Sequence, residues 1–164
     1  MLIANLAQSL VCAGALWTLK WMGSPFRRIE KIVLYLVCVT AFEQAHSAIL
    51  DSQKLIRITP TGTAFAYFKM NQLILFPLAT MWLLYAIFRI RDRFLVKAAL
   101  GTAWMAGLTA SVGLSQAIGV IEDTGWNVGY AVFTWTVVLL AVMIFAAWYR
   151  KLLEKRGEAD AVRA

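Results

Sequence analysis

Apolar residues fill five long stretches of the chain, and short polar segments separate them. A helix that crosses a membrane needs about 20 mainly apolar residues, and each stretch is long enough. The pattern therefore predicts an all-α, polytopic membrane bundle of five transmembrane helices and no strand. The predicted helices are Leu2–Met22, Pro25–Leu50, Thr63–Ile90, Arg93–Ile121 and Trp126–Tyr149.

Helix-breaking and capping residues lie at the predicted boundaries. Between the first two helices, Gly23 is typical of a helix stop, Ser24 of an N-cap and Pro25 of a first helical position. Asp92 can cap the fourth helix, and the Glu122–Gly125 segment is typical of a tight turn. We therefore expect one domain over residues 1–150, followed by a charged tail over residues 151–164.

The composition agrees with a lipid environment. The chain has 164 residues, of which 61% are hydrophobic and 15% charged. Soluble domains contain about 45–50% apolar and about 25% charged residues. So short a soluble chain could not bury this much apolar surface. The composition excludes a soluble enzyme, a disordered chain and a secreted disulfide scaffold.

The basic residues predict the orientation of the helices. With five spans, thirteen of the sixteen Lys and Arg residues fall on the side that carries the C-terminus. Only Lys54 and Arg57 fall on the opposite side. Because basic loops stay in the cytoplasm, we expect an inner-membrane, multi-pass protein with its N-terminus outside and its C-terminus inside. This topology and the attraction of anionic lipids explain the net charge of +7 without nucleic-acid binding.

Polar side chains concentrate in the outer half of every predicted helix, whereas the inner halves are almost entirely apolar. Buried polar groups in lipid are costly unless they are paired, so these side chains should face one another or water. The pattern predicts a polar pocket that faces outward and is closed below by apolar residues. Its candidate ligand-binding residues are Gln8, Glu43, His46, Lys69, Asn71, Gln72, Gln116 and Tyr130.

Glu43, His46 and Lys69 carry the sharpest functional signal. Glu43 and His46 are three residues apart, so we expect them on one face of the second helix. Lys69 should lie at a similar depth, so that Glu43 and Lys69 can form an ion pair. Two interpretations stay open: a ligand or partner site, or a network that only fixes packing. We expect no metal or cofactor. Di-iron bundles use two Glu-x-x-His motifs and two further Glu residues, whereas this chain has a single His.

Small residues recur at every fourth position of the fourth helix, including Ala103, Gly107, Ser111 and Ser115. Such spacing lets helix backbones approach closely. It indicates either tight packing inside the bundle or a seam for a second copy or another subunit. In the third helix, Pro77 removes one backbone hydrogen bond and should kink the helix near the floor of the pocket.

Three functions are compatible with these features. The first is a non-enzymatic membrane protein that binds a small ligand, a lipid headgroup or a partner subunit, as an accessory or carrier component. The second is a holin-like or pore-forming oligomer assembled through the fourth helix. The third is an intramembrane enzyme that uses Glu43 and His46 as acid and base, although no nucleophile or oxyanion donors accompany them.

Overall fold

The computed structural model describes residues 2–23, 26, 28–52, 54–90 and 93–163, with backbone only at 51, 52, 123 and 156–163. Within these ranges, five helices are long and apolar enough to cross a membrane, at the five predicted places. They are α1 (Leu2–Trp21), α2 (Arg28–Ser47, continued by a π-helical turn Ala48–Ser52), α3 (Gly62–Arg89), α4 (Phe94–Ala117) and α5 (Val128–Arg163). The predicted signals at Ser24, Pro25 and Asp92 lie outside the described residues.

The end of α4 and both ends of α5 differ from the prediction. Helix α4 ends at Ala117 rather than Ile121, because Gly119 takes a left-handed conformation with φ 72° and turns the chain. Helix α5 begins at Val128, where the Asn127 side chain accepts a hydrogen bond from the backbone N–H of Tyr130. It continues to Arg163, so the charged tail extends the last helix.

Two short strands, which the sequence pattern does not predict, join the loops at one end of the bundle. Strand β1 (Ile56–Ile58) pairs antiparallel with β2 (Ile121–Asp123), and Arg57 lies opposite Glu122. Three residues are too few to show the alternation that identifies a strand in a sequence. We call this end of the bundle the strand end, and the opposite end, where Glu30 and Arg150 lie, the tail end.

Four of the helices form a ring around the core. Helix α2 packs against α3 and α5, and α4 also packs against α3 and α5. Helix α1 lies outside this ring and packs against α3, so α3 is the most buried helix and α1 the least. Apart from Glu30 and Thr80, the core of the tail-end half is mainly apolar, and its fully buried side chains include Leu34, Cys38, Met81, Leu84, Val142 and Ala146.

Close to Pro77, the middle of α3 contains a π-helical segment, Asn71–Leu75, which the sequence pattern does not predict. Proline has no N–H, so residue 77 leaves the carbonyl of Leu73 without its usual helical donor. The hydroxyl of Tyr35 in α2 donates to that carbonyl oxygen at 2.8 Å. Thus a side chain of the neighbouring helix satisfies the group that the proline frees.

Replacing Tyr35 by Phe should lower the free energy of unfolding by about 1 kcal/mol, because the Leu73 carbonyl loses its donor. In a Pro77→Ala background the same change should cost clearly less, because the restored N–H of residue 77 can serve that carbonyl. Unfolding of the four proteins in a mixed-micelle denaturant titration, followed by circular dichroism, measures this coupling. An equal cost of Tyr35→Phe in both backgrounds would contradict the assignment.

Candidate functional site

Glu43 and Lys69 form the ion pair expected from their depth. The Nζ atom of Lys69 lies 3.1 Å from Oε1 and 3.3 Å from Oε2 of Glu43, which ties α2 to α3 in the strand-end half. The side chain of Glu43 is 38% exposed and that of Lys69 is 32% exposed. The Lys69 ammonium lies 5.9 Å from the ring centre of Phe65. The pair therefore lies at the side of the bundle rather than within its core.

Gln8 and Asn71 form a second, separate polar contact. The Nε2 atom of Gln8 in α1 donates to Oδ1 of Asn71 at 2.5 Å, and both residues are buried. Asn71 is the first residue of the π-helical segment. On the same face of α1, the Cys12 thiol lies 3.8 Å from the backbone oxygen of Met70. The polar face of α1 thus docks α1 onto the distorted part of α3.

His46 points into the core, away from the Glu43–Lys69 pair. Its Nδ1 atom lies 2.8 Å from the carbonyl oxygen of Phe42, one turn earlier, so this nitrogen carries the proton and Nε2 is left as an acceptor. The imidazole meets Phe68 edge-on at 5.1 Å and stacks on Phe76 at 5.9 Å, with the indole of Trp135 at 5.8 Å. His46 is therefore the polar centre of an aromatic cluster.

A cavity of about 20 Å³, which we call the His46 chamber, adjoins this cluster. Asn71, Val112, Ser115 and Trp135 contribute to its walls together with His46. Ile56 of β1, Ile121 of β2 and Trp126 also line it, and the two isoleucines are buried. The paired strands therefore cover the chamber on the strand-end side, so the predicted pocket around His46 is capped.

A second cavity, which we call the lateral groove, lies between α2 and α5 and has a volume of about 220 Å³. From α2 and its π-helical turn it is lined by Ala45, Ala48 and Ile49. From α5 it is lined by Tyr130, Phe133, Thr134, Val137 and Val138. Tyr130 thus lines this groove and is not among the residues that line the His46 chamber.

The remaining predicted site residues do not join these groups. Gln72 is buried, and its Oε1 atom has no hydrogen-bond partner among the described residues. Gln116 is half-buried near the strand end of α4. The eight predicted residues therefore fall into a surface ion pair, an α1–α3 contact, a capped chamber and a lateral groove, with Gln72 and Gln116 outside all four.

The four small residues of α4 do not share one environment. Ala103 and Gly107 are exposed, Ser111 is half-buried and Ser115 is buried. At 3.6 residues per turn, a spacing of four advances about 40° at each step, so the row winds around the helix. The buried face of α4 is formed instead by Gly101, Trp104, Leu108, Val112 and Ser115.

Sequence reasoning missed a charged contact at the tail end. Glu30 in α2 is only 2% exposed, and its Oε1 atom lies 3.2 Å from Nε of Arg150 in α5. The Arg150 guanidinium lies 4.5 Å from the ring centre of Phe88 and 5.7 Å from that of Phe26. Glu30 lies among basic residues at a helix start, where an acidic residue is normally exposed, so no local sequence signal indicates its burial.

Comparison of the chain with protein-family models, with curated proteins and with solved structures finds no significant match. Within the described part of the chain, no group of three or more His, Cys, Asp or Glu side chains could hold a metal ion.

Proposed function

We propose that this chain is a multi-pass protein of the cytoplasmic membrane that binds an amphiphile of the lipid class in the lateral groove. In this proposal it acts as an accessory or carrier component and not as an enzyme. Glu43 and His46 point in different directions, since Glu43 contacts Lys69 at the side of the bundle while His46 is enclosed by aromatic rings. That divergence disfavours their joint use as acid and base.

The charge distribution supports the proposed orientation, with the strand end outside. Helix α5 brings Arg150, Lys151 and Lys155 to the tail end, and Lys20 and Lys31 lie at the same end on α1 and α2. The strand end carries Lys54 and Arg57, and Arg57 is matched by Glu122 across the strands. Because basic segments are retained in the cytoplasm, this asymmetry favours a cytoplasmic tail end.

The gradient of polarity along the lateral groove is the observation that carries the proposal. Tyr130 and Thr134 line the part of the groove nearer the strand end, while Val137 and Val138 line the deeper part. The rise of a helix places Val138 about 12 Å further along α5 than Tyr130. A polar head beside Tyr130 and an apolar chain along the valines match this arrangement, as expected for an amphiphile that enters from the bilayer.

The walls of the groove also favour entry from the side. Phe133 and Val137 are largely exposed along α5, and they face the surroundings of the bundle rather than its core. Ala45 and Ala48 supply little side-chain volume on the α2 side, which leaves space between the helices. Ligand sites in proteins are usually apolar clefts with a few polar groups that fix orientation, and the groove has this character.

Substitution of Ala48 by Phe should fill the groove and reduce retained lipid at least several-fold in native mass spectrometry of gently solubilised protein. Ala45→Leu is a milder filling variant that should act in the same direction. Ala13→Phe is the matched control, because Ala13 is exposed on α1, away from the groove. Retention of the same lipids by the groove variants, or no lipid retained by the wild type, would overturn the proposal.

Assembly through α4 is the second candidate, because the exposed part of α4 has the small residues that close helix packing needs. Nothing lies within 4 Å of the position that a Gly107 Cβ atom would take. A second copy of the chain, as in a holin-like oligomer, or another subunit could approach there.

If α4 forms such a seam, Gly107→Leu should convert oligomers to monomers in native mass spectrometry. Gly14→Leu on α1, where the space above the backbone is also open, should leave the mass unchanged. A monomeric wild-type protein that also causes no dye leakage from vesicles would exclude the holin-like oligomer.

A further inference from the structure

None of the described helices covers the Glu43–Lys69 ion pair completely. Both side chains are about a third exposed, and Phe65, one turn before Lys69 in α3, is more than half exposed. Helix α1 contacts α3 through other residues, such as Asn71, which bonds to Gln8. Two full charges on the side of the bundle are therefore partly open to the surroundings.

The depth of the ion pair makes this exposure costly. Lys69 follows Gly62, the first residue of α3, by seven residues, so it lies about 10 Å below the strand end of the helix. Because the hydrocarbon core of a bilayer is about 30 Å thick, a helix that begins at its edge places this charge among acyl chains. Charged groups at such a depth are normally paired and covered by protein or water. A covering partner should therefore bring charged or polar groups of its own.

The ion pair is complementary to a second copy of itself. Glu43 belongs to α2 and Lys69 to α3, and their charged atoms are 3.1 Å apart, so opposite charges lie side by side on neighbouring helices. A two-fold axis along the membrane normal, the symmetry of a dimer whose copies share one orientation, keeps every residue at its depth. An axis that passes in front of the pair opposes Glu43 of each copy to Lys69 of the other.

Exposed residues of α2 extend this face from Glu43 towards the tail end. Ile32, Leu36 and Thr40 precede Glu43 at intervals of three or four residues, so they lie on one side of the helix. This repeat is the spacing with which two helices pack along a common seam. The face therefore combines an apolar stretch for packing with charges that fix the orientation of a partner.

We propose that this face is the interface of a symmetric dimer of the chain. The residues of this α2–α3 face are Ile32, Leu36, Thr40, Glu43, Phe65 and Lys69. In the dimer the four charges of the two copies form one network that is covered from lipid. A different side of α2 lines the lateral groove, so the dimer does not depend on a ligand there.

Complementation between two charge-reversal variants tests the proposal. Glu43→Lys leaves two positive charges on the face and Lys69→Glu leaves two negative ones, so each protein expressed alone should be monomeric in native mass spectrometry of gently solubilised material. Co-expressed with different tags, the two proteins should form a heterodimer, because a positive pair then faces a negative pair. An ion pair that only fixes packing within one chain cannot be restored by a second chain.

Crosslinking tests the same face without changing a charge. Leu36→Cys places a thiol on the α2–α3 face, and Leu140→Cys places one on α5 at a similar distance from the strand end. Both leucines are more than half exposed. In membranes, a permeant bismaleimide should link the Leu36→Cys protein into dimers at least several-fold more than the Leu140→Cys protein. The wild-type chain, whose Cys12 and Cys38 are buried, gives the background.

Several outcomes would overturn the dimer. One is a wild-type protein that is monomeric and gives no Leu36→Cys dimers above background. Others are equal crosslinking at Leu36 and Leu140, inserted reversal variants that form no heterodimer, and dimers that Gly107→Leu dissociates, because those belong to α4. If the reversal variants do not accumulate in the membrane, the crosslinking comparison decides.

Discussion

Replacing Glu30 by Gln should lower the free energy of unfolding by about 2 kcal/mol, because the Arg150 guanidinium, whose side chain is 27% exposed, loses the carboxylate that lies 3.2 Å away. Glu30 is only 2% exposed, and it faces the Arg150 guanidinium, which also rests on the ring of Phe88. The remaining positive charge would then keep its contact with the ring face of Phe88 and meet a neutral amide in place of the carboxylate.

The ion pair at the strand end provides the matched control. Glu43 and Lys69 have similar chemistry, but each side chain is about a third exposed, so Glu43→Gln should cost about 1 kcal/mol or less. Combining Glu30→Gln with Arg150→Met should recover most of the stability lost by Glu30→Gln alone. Denaturant titration in mixed micelles measures all four proteins. If Glu30→Gln and Glu43→Gln cost the same, burial does not distinguish the two pairs.

The difference between these two pairs shows what the sequence could and could not predict. Depth along a helix follows from counting residues, and this counting was enough to bring Glu43 and Lys69 together. Burial depends on which neighbour covers a helix end, and Glu30 is covered by α5 from more than a hundred residues away. No local pattern around Glu30 contains that information.

The direction of side chains around a helix was harder to predict than their depth. Glu43 and His46 are three residues apart and share a helix face only loosely, about 60° apart around the axis. That angle is enough to put Glu43 at the side of the bundle and His46 among aromatic rings. In α4 the same drift moves the small residues from an exposed position at Ala103 to a buried one at Ser115.

The five helices were predictable because lipid imposes length and composition on every span. The strand cap was not, because its pairing joins two loops that are separated by more than sixty residues. The cap depends on local details such as the left-handed Gly119 and the hydrogen bond from the Thr59 backbone N–H to the carbonyl of Val120. These contacts turn an open end of the bundle into the covered chamber around His46.

Trp135→Ala should lower the free energy of unfolding by about 3–5 kcal/mol, the range for removing a large aromatic side chain from a packed core. Trp135 is fully buried, and its ring centre lies 5.9 Å from that of Phe42, 6.2 Å from Phe76 and 6.3 Å from Trp126. The indole is a shared neighbour of α2, α3 and the segment before α5, so its loss should loosen all three at once.

Trp148, in the same helix, is the control for this change. It is 54% exposed and packs against Phe145 at 5.5 Å, so Trp148→Ala should cost about 1 kcal/mol or less. Trp135→Phe should fall between the two, since the smaller ring keeps part of the aromatic packing but loses the indole donor. Thermal unfolding in the same detergent, followed by circular dichroism, ranks the three variants. The two Trp→Ala changes are in the same helix and differ in the burial of the ring that is removed. Equal stability of the two proteins would therefore show that the aromatic cluster around His46 does not stabilise the bundle.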